Sequence, residues 1–423
     1  MSISTANTTK LLQISKWLTL LKPLWQVQAF ECQSLPWEQA FPRLADKVWQ
    51  IDDADIDALD VEQQTLVEFL LPSVVEDLNS ASGSNSSSSL TIEFTELRSL
   101  LCNEFIASIG NDSKSALTET ELSHFSAHIK GRKWQQITQF AYHVPLDGLP
   151  IVEWCAGKGH LGRYLAKTLH TNVTSLEWQQ SLCEQGQNFA KRWQLPQQFC
   201  CTDVFKLDEN PLKTEQHAVA LHACGDLHVR LLNLATEAAT QSISFSPCCY
   251  HLIEAKQYQP LSDAAKQANF SLSRHDLQLP LQQSVIANQK QLALRHQEIC
   301  WRLGFDSLQR DATGNSNYLP IPSIKRSQLS GGFVDFCHWA ASQKQVDIST
   351  INDIEAYFQI GRDRQRLTRR IDLVAHLFRQ VLEHWLILDR VCYLEQHHYQ
   401  VEVFEFCSNS ITPRNSLIQA KKR

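Results

Sequence analysis

The hydrophobic pattern changes character twice along this chain. Over its first part, apolar positions recur at helical spacing in short segments, as in "ELSHFSAHIKGRKWQQITQFAYHV" from Glu121. "TIEFTELRSLLCNEFIASIG" reads the same way, and "LNSASGSNSSSSLT" (Leu78 to Thr91) reads as an exposed loop or linker. From Leu149 the period alternates. "LPIVEWC", "NVTSLEW", "QFCCTDVF", "HAVALHAC" and "SISFSPCCY" are strand-like, while Leu161–Leu169, Ser181–Trp193 and Leu227–Ala239 are helix-like. Strands alternating with helices predict βαβ units and a parallel sheet covered on both faces.

The alternation then stops. A Gln-rich helical stretch and a Pro/Gly/Ser loop lead to a long helix from about Arg366 to Gln396, with Ile371, Val374, Phe378, Val381, Trp385, Leu388 and Cys392 at helical spacing. "YQVEVFEFC" and "SLIQAKK" read as a final hairpin. The expectation is an α/β fold, a mostly parallel sheet with a C-terminal antiparallel hairpin. Four regions follow: a mainly helical 1–125, a first core part 126–255, a helical and loop insertion 256–365, and a core-completing 366–423.

Composition narrows this picture. The net charge is −6, so no global field favours nucleic acid. A nucleic-acid partner would need a local basic patch. Lys130, Arg132 and Lys133 form one, and "GRDRQRLTRR" (Arg362, Arg364, Arg366, Arg369, Arg370) forms another. The plainer reading of the arginine run is a solvated helix face with partners such as Asp363. No stretch approaches the roughly 20 apolar residues that span a bilayer. Thirteen unevenly spaced cysteines without a secretory signal suggest a reduced, cytoplasmic protein.

The densest chemistry lies in "VEWCAGKGHLGRYLAKTL". Gly157, Gly159 and Gly162 spell GxGxxG after a strand, and Glu177 lies twenty residues on, which fits a dinucleotide site by pattern. Glu153 argues otherwise. A carboxylate at the strand end repels a pyrophosphate. It suits the ammonium and sulfonium of S-adenosylmethionine instead. Acid-x-Cys155-x-Gly157-x-Gly159 departs from the methyltransferase turn only at Cys155, where the first glycine is expected. Glu177, closing the second strand, is suited to bind two ribose hydroxyls, and Asp203, closing the third, stands where methyltransferases meet the adenine amino group. The plainer alternative makes Glu177 and Asp203 solvated strand-end acids.

"ALHACGD" and "SPCCYHL" end the fourth and fifth strands, which are neighbours in such a sheet. Three readings stay open there. Zinc suits His and Cys, yet adjacent Cys248 and Cys249 point to opposite sides of an extended strand, no CxxC occurs, and no metal is expected. An acceptor pocket would use His222 or Asp226 as a base, with Tyr250 and His251 orienting the acceptor. Simple packing of small thiols is the third.

These segments, with the ending "ITPRNSLIQAKK", resemble one S-adenosylmethionine-dependent (class I, Rossmann-like) methyltransferase-domain family. It includes methyltransferase-like proteins and the glutathione S-transferase C-terminal-domain-containing protein. The likeness covers about 130–250 and 388–422. It implies S-adenosyl-L-methionine as cofactor, held by Glu153, Cys155, Ala156, Gly157, Gly159, His160, Glu177, Trp178, Asp203, Val204 and His222. It implies an acceptor side at Lys133, Cys224, Cys248, Cys249, Tyr250 and His251. It supplies no firm acceptor; RNA, such as tRNA or rRNA, stands slightly ahead of protein. Cys155 and the lack of an Asn-Pro-Pro-Tyr-type motif leave a second possibility, a methyltransferase-fold scaffold that binds cofactor without transfer.

Overall fold

A computed structural model describes residues 3–82, 94–102, 107–108, 117–282, 289–324 and 329–423. The chain folds as two compact units of non-contiguous stretches. One holds residues 1–19, 103–281 and 381–423; the other holds 20–102 and 282–380. Much of the early helical region and much of the expected insertion thus share a unit.

The first unit carries the sheet. Its seven main strands are β1 (Ile151–Trp154), β2 (Val173–Glu177), β3 (Gln197–Cys201), β4 (His217–Cys224), β5 (Ser242–Cys248), β6 (Tyr399–Glu405) and β7 (Ser416–Lys422). Their order is β3-β2-β1-β4-β5-β7-β6, with a two-residue strand, Ala107–Ser108, beyond β6. That short strand falls where helical periodicity was expected to continue. β1 to β5 run parallel, and β7 runs antiparallel to both β5 and β6. This is the predicted sheet, closed by the predicted hairpin.

Burial explains the strand sequences. β1 and β5 are buried along their whole length, as central parallel strands covered on both faces must be. Successive side chains go to opposite faces. Val152, Trp154, Ala218 and Ala220 join one core with Leu231, Leu232, Val391 and Leu394. Ile151, Val173 and Val219 join the other with Phe125, Ile137, Leu161 and Leu165. Five helices matter here: α1 (Ile3–Leu20), α2 (Gly131–Tyr142), α3 (His160–Thr168), α4 (Gln180–Arg192) and α5 (Asp226–Glu237). α5 covers the first face; α2 and α3 cover the second.

The second unit is built around α6 (Gln289–Thr313), α7 (Phe333–Lys344) and α8 (Ala356–His376), which bury Trp301, Phe305, Phe333, Phe336 and Cys337. The long helix expected from Arg366 to Gln396 is two helices, α8 and α9 (Arg379–Gln396). Between them, Leu377 and Phe378 make tighter bonds to Val374 and Ala375 three residues back. The Leu377 carbonyl accepts from Gln63 Nε2 at 2.9 Å. Val374, Phe378 and Val381 are all buried, so apolar spacing runs unbroken through the kink.

The arginine run also differs from a solvated face paired along its own helix. Arg364 is buried and donates to Asp306 Oδ2 at 2.6 Å, and Arg370 is buried and pairs with Asp53 at 2.7 Å. Arg366 meets Asp53 and Arg369 meets Asp57. The partners come from distant segments, which sequence spacing does not reveal. Asp363 instead accepts from Gln359.

Candidate active site

The glycine turn leaves β1 and opens α3. Ala156 N–H donates to Leu176 O and Gly157 N–H to Glu177 Oε2, both at 2.9 Å, which clamps the turn to the end of β2. Cys155 has φ 54° and Gly157 φ 59°. The cysteine standing where glycine was expected therefore keeps the left-handed backbone, which a side chain makes costly by about 1–3 kcal/mol. Gly162 has a packing reason: a Cβ there would sit 2.3 Å from Glu153 Oε2 and 2.6 Å from Gln197 Nε2.

Glu153 lies in surroundings that differ from those expected. It is 3% exposed and accepts from Ser175 Oγ at 2.6 Å. Burial pushes its carboxyl up to about 7, against the pull of Ser175, the Gly162 N–H, Lys133 and Arg163. Its oxygens serve the turn and α3 from below rather than open solvent. Ser175 faces it across the β1–β2 ladder, and Gln197 Nε2 bridges Ser175 Oγ and Gly159 O. Ser175 and Gln197 were not singled out in the sequence; strand register alone would have aligned Ser175.

Glu177 is the last residue of β2. Oε2 accepts from Gly157 N and Oε1 from Gln179 N, one bond each. A carboxylate oxygen has capacity for more than one donor. Trp178 follows, 68% exposed. Asp203 lies two residues beyond β3; it accepts from Phe205 N and pairs with Lys206. Val204 beside it is buried. His160 starts α3, and burial, with Arg163, Lys158 and Lys133 nearby, holds its imidazole down at about 3. Its buried Nδ1 finds no hydrogen-bond partner among the described residues.

The ends of β4 and β5 form the other half. A register shift between Leu221 and Ala223 leaves His222 in a bulge, with φ 63°. Its Nε2 lies 3.0 Å from Gln136 Oε1, and its buried Nδ1 finds no partner among the described residues. Burial and the charges of Lys133 and Arg414 lower it to about 3, so it is neutral near pH 7. Asp226 opens α5 and accepts from Glu254 N at 2.7 Å, while its own N–H reaches Leu252 O. A Cβ on Gly225 would lie 1.9 Å from Leu252 O. The two strand-end loops are therefore zipped together.

Two expectations change here. Cys249 has φ 48°, so the chain is not extended beyond Cys248. The sulfurs of Cys224, Cys248 and Cys249 come within 4.8 Å of one another, with Cys224 Sγ 3.5 Å from Cys248 Sγ. The argument that Cys248 and Cys249 diverge fails for that reason. Tyr250, expected to face an acceptor, is 1% exposed. Its ring packs under the Arg390 guanidinium and edge-on to His228, because the chain turns inward after Cys249. His251 remains partly exposed at the rim.

Charge is uneven around the thiols. Hydrogen bonding from Cys224 and Cys248 draws the Cys249 thiol down to about 2, with Arg414 and His251 assisting against burial. The Cys248 thiol is raised by its two neighbours and by burial. Lys133, lowered by its own burial, feels Cys248, Glu153 and Cys224, which places it between the glycine turn and the thiols. Behind β4, buried Arg390 donates to His228 Nε2 at 3.0 Å, and His228 Nδ1 lies 3.0 Å from Ala223 O. That prop under the bulge was not legible before α9 was placed.

Residues 132–256 match the model of a methyltransferase-domain family. Three solved structures give a partial likeness. A Pyrococcus abyssi tRNA (uracil-54, C5)-methyltransferase in complex with S-adenosyl-L-homocysteine is 17% identical, covers 32% of this chain and 29% of its own, with a TM-score of 0.24. An S-adenosylmethionine-dependent methyltransferase from Clostridium acetobutylicum gives 14%, 30%, 56% and 0.23. An rRNA methylase from Streptococcus thermophilus gives 11%, 29%, 73% and 0.23. This chain thus spans under a third of the first and just over half of the second. The matched segment and the seven-strand order agree on a Rossmann-like methyltransferase fold for this part of the chain.

Proposed function

We propose that the protein transfers a methyl group from S-adenosylmethionine to an RNA acceptor. The observation that carries the cofactor half is Glu177. Its carboxylate tips β2 with one backbone bond per oxygen, beside the exposed indole of Trp178. That geometry suits a ribose diol and an adenine face. The turn from Cys155 to Gly159, with His160, Asp203, Val204 and His222, would complete the cradle. Cys155 supports a working turn rather than a degenerate one, since it adopts the glycine conformation. S-adenosylmethionine supplies an electrophilic methyl on a sulfonium.

The chain's own residues position and exclude. Lys133, Cys224, Cys248, Cys249 and His251 border the acceptor side, at the strand ends where α/β sheets bind ligands. Asp226 holds the loop through Glu254 N. His222, neutral and with a free Nδ1 lone pair when Nε2–H donates to Gln136, accepts a hydrogen bond from the acceptor. At about 3 it is a weak base, so rate would come from alignment. RNA is favoured over protein by the exposed Arg132 beside Lys133 on α2, since Arg364, Arg366, Arg369 and Arg370 of α8 meet aspartates.

The test is tritiated-methyl transfer into extracts from cells lacking this protein. Label that ribonuclease releases and protease does not is the expected result. Label released by protease alone would overturn the RNA acceptor; no label in any fraction would overturn transfer.

A further inference from the structure

We propose that Cys224, Cys248 and Cys249 form a three-thiolate site for a single soft d10 cation, zinc above others, with its fourth position open to water or to an acceptor group. Among the described residues this is the only cluster of three or more His, Cys, Asp or Glu ligand atoms so arranged.

Distance is the first argument. Tetrahedral zinc with bonds of about 2.3 Å to sulfur needs sulfurs about 3.8 Å apart. The Cys224–Cys248 separation is 3.5 Å, and all three sulfurs lie within 4.8 Å of one another. A cation of that size fits with a small adjustment of side chains. A disulfide needs about 2.05 Å, so two of these sulfurs would have to move much further together.

The backbone is the second argument. Cys224 and Cys248 are direct partners across the parallel β4–β5 ladder, which aligns their side chains. Cys249 would point away if extended. It does not, because it holds φ 48°, a conformation that costs a non-glycine residue about 1–3 kcal/mol and persists only where surroundings enforce it. The next carbonyl contacts lock it: Leu252 N–H bonds to Cys249 O, and Gly225 N–H bonds to Cys248 O. The local fold thus turns a diverging pair into a converging triad before any ion arrives.

Charge is the third. Three thiolates around a divalent ion leave one net negative charge. Lys133 and Arg414 lie close enough to act on these sulfurs, and His251 borders Cys249. Three protein ligands and an open position are the pattern of catalytic rather than structural zinc. The site stands at the acceptor end of the sheet and does not depend on the cofactor reading, since no thiol of the triad is assigned to cofactor.

The full chain, reduced and stripped of metal, would be titrated with cobalt(II) and then with zinc. The expected result is one equivalent of cobalt with sulfur-to-metal charge-transfer absorption, displaced by zinc. Cys224→Ser, Cys248→Ser and Cys249→Ser should each weaken it by more than the roughly 10–100-fold that loss of an outer-shell partner costs. Cys200→Ser, at an exposed thiol, should leave it unchanged. Should a serine variant misfold, alkylation of the wild-type chain decides: zinc must protect these three cysteines and no others. Absence of the charge-transfer band, or protection confined to other cysteines, overturns the site. Binding of S-adenosylhomocysteine, measured on the same metal-free sample, reports separately on the methyltransferase reading.

Discussion

The arginine-rich helix and the strand ends differ in how their titratable groups are paired. In the helical unit, Asp306 is fully buried but accepts from Arg364, Arg310, Gln309 and the Leu319 N–H, and Arg370 meets Asp53 and three carbonyls. In the sheet unit, Glu153 is buried, His160 and His222 are half-buried with Nδ1 atoms that find no hydrogen-bond partner among the described residues, and three thiols crowd together. Paired buried ions hold a fold; unpaired titratable groups in a cleft mark sites. The arginine-rich helix, the more eye-catching sequence, is thus held by ion pairs, and the modest strand ends are the proposed site.

The largest expected effect is in the scaffold. Asp306→Ala leaves Arg364 and Arg310 without their carboxylate and should cost about 3–5 kcal/mol, read from the urea midpoint. The affinity of the folded fraction for S-adenosylhomocysteine should not move. A loss of affinity with stability retained would break the contrast.

Gly225→Ala tests the opposite region. The added methyl would meet the Leu252 carbonyl, at a residue with φ 51°, so about 3 kcal/mol of destabilisation is expected. Circular dichroism melts check it; an unchanged Tm would mean that the zipped loops are loose.

Glu153 gives a signed pH effect. Its folded value of about 7 lies above the ordinary 4.5. The unfolded chain therefore loses this proton first. Its contribution is intact below about pH 4.5 and is lost by about pH 7, a penalty of order 3 kcal/mol. Glu153→Gln should be more stable than wild type at pH 8, with the gain fading toward pH 5. A difference that is flat across that range would place the carboxyl in solvent. The smallest effect is expected at exposed Arg366, whose pairing with Asp53 is worth at most about 1 kcal/mol; Arg366→Ala should leave RNA retention unchanged in a filter assay.

Much of the sheet was legible because periods of two and 3.6 alternate cleanly from Leu149, and because fully buried strands read as apolar runs. Glu177 and the glycine turn were legible from spacing. What escaped was set by long-range contacts or by one backbone angle. Gln63 takes the Leu377 carbonyl where a helix was expected to continue. Ser175 takes the Glu153 carboxyl that was expected to face ligand. Cys249 departs from extended geometry by φ alone, and that reverses the argument about its sulfur.

The acid-tipped turn is proposed to hold S-adenosylmethionine. Calorimetry of the full chain with S-adenosylhomocysteine tests it most directly. One ligand should bind per chain, and Glu177→Ala should weaken it by roughly 10–100-fold, the 1.5–3 kcal/mol of a hydrogen bond to a charged group. A folded protein that takes up no ligand, or a Glu177→Ala variant that binds as wild type, would contradict it.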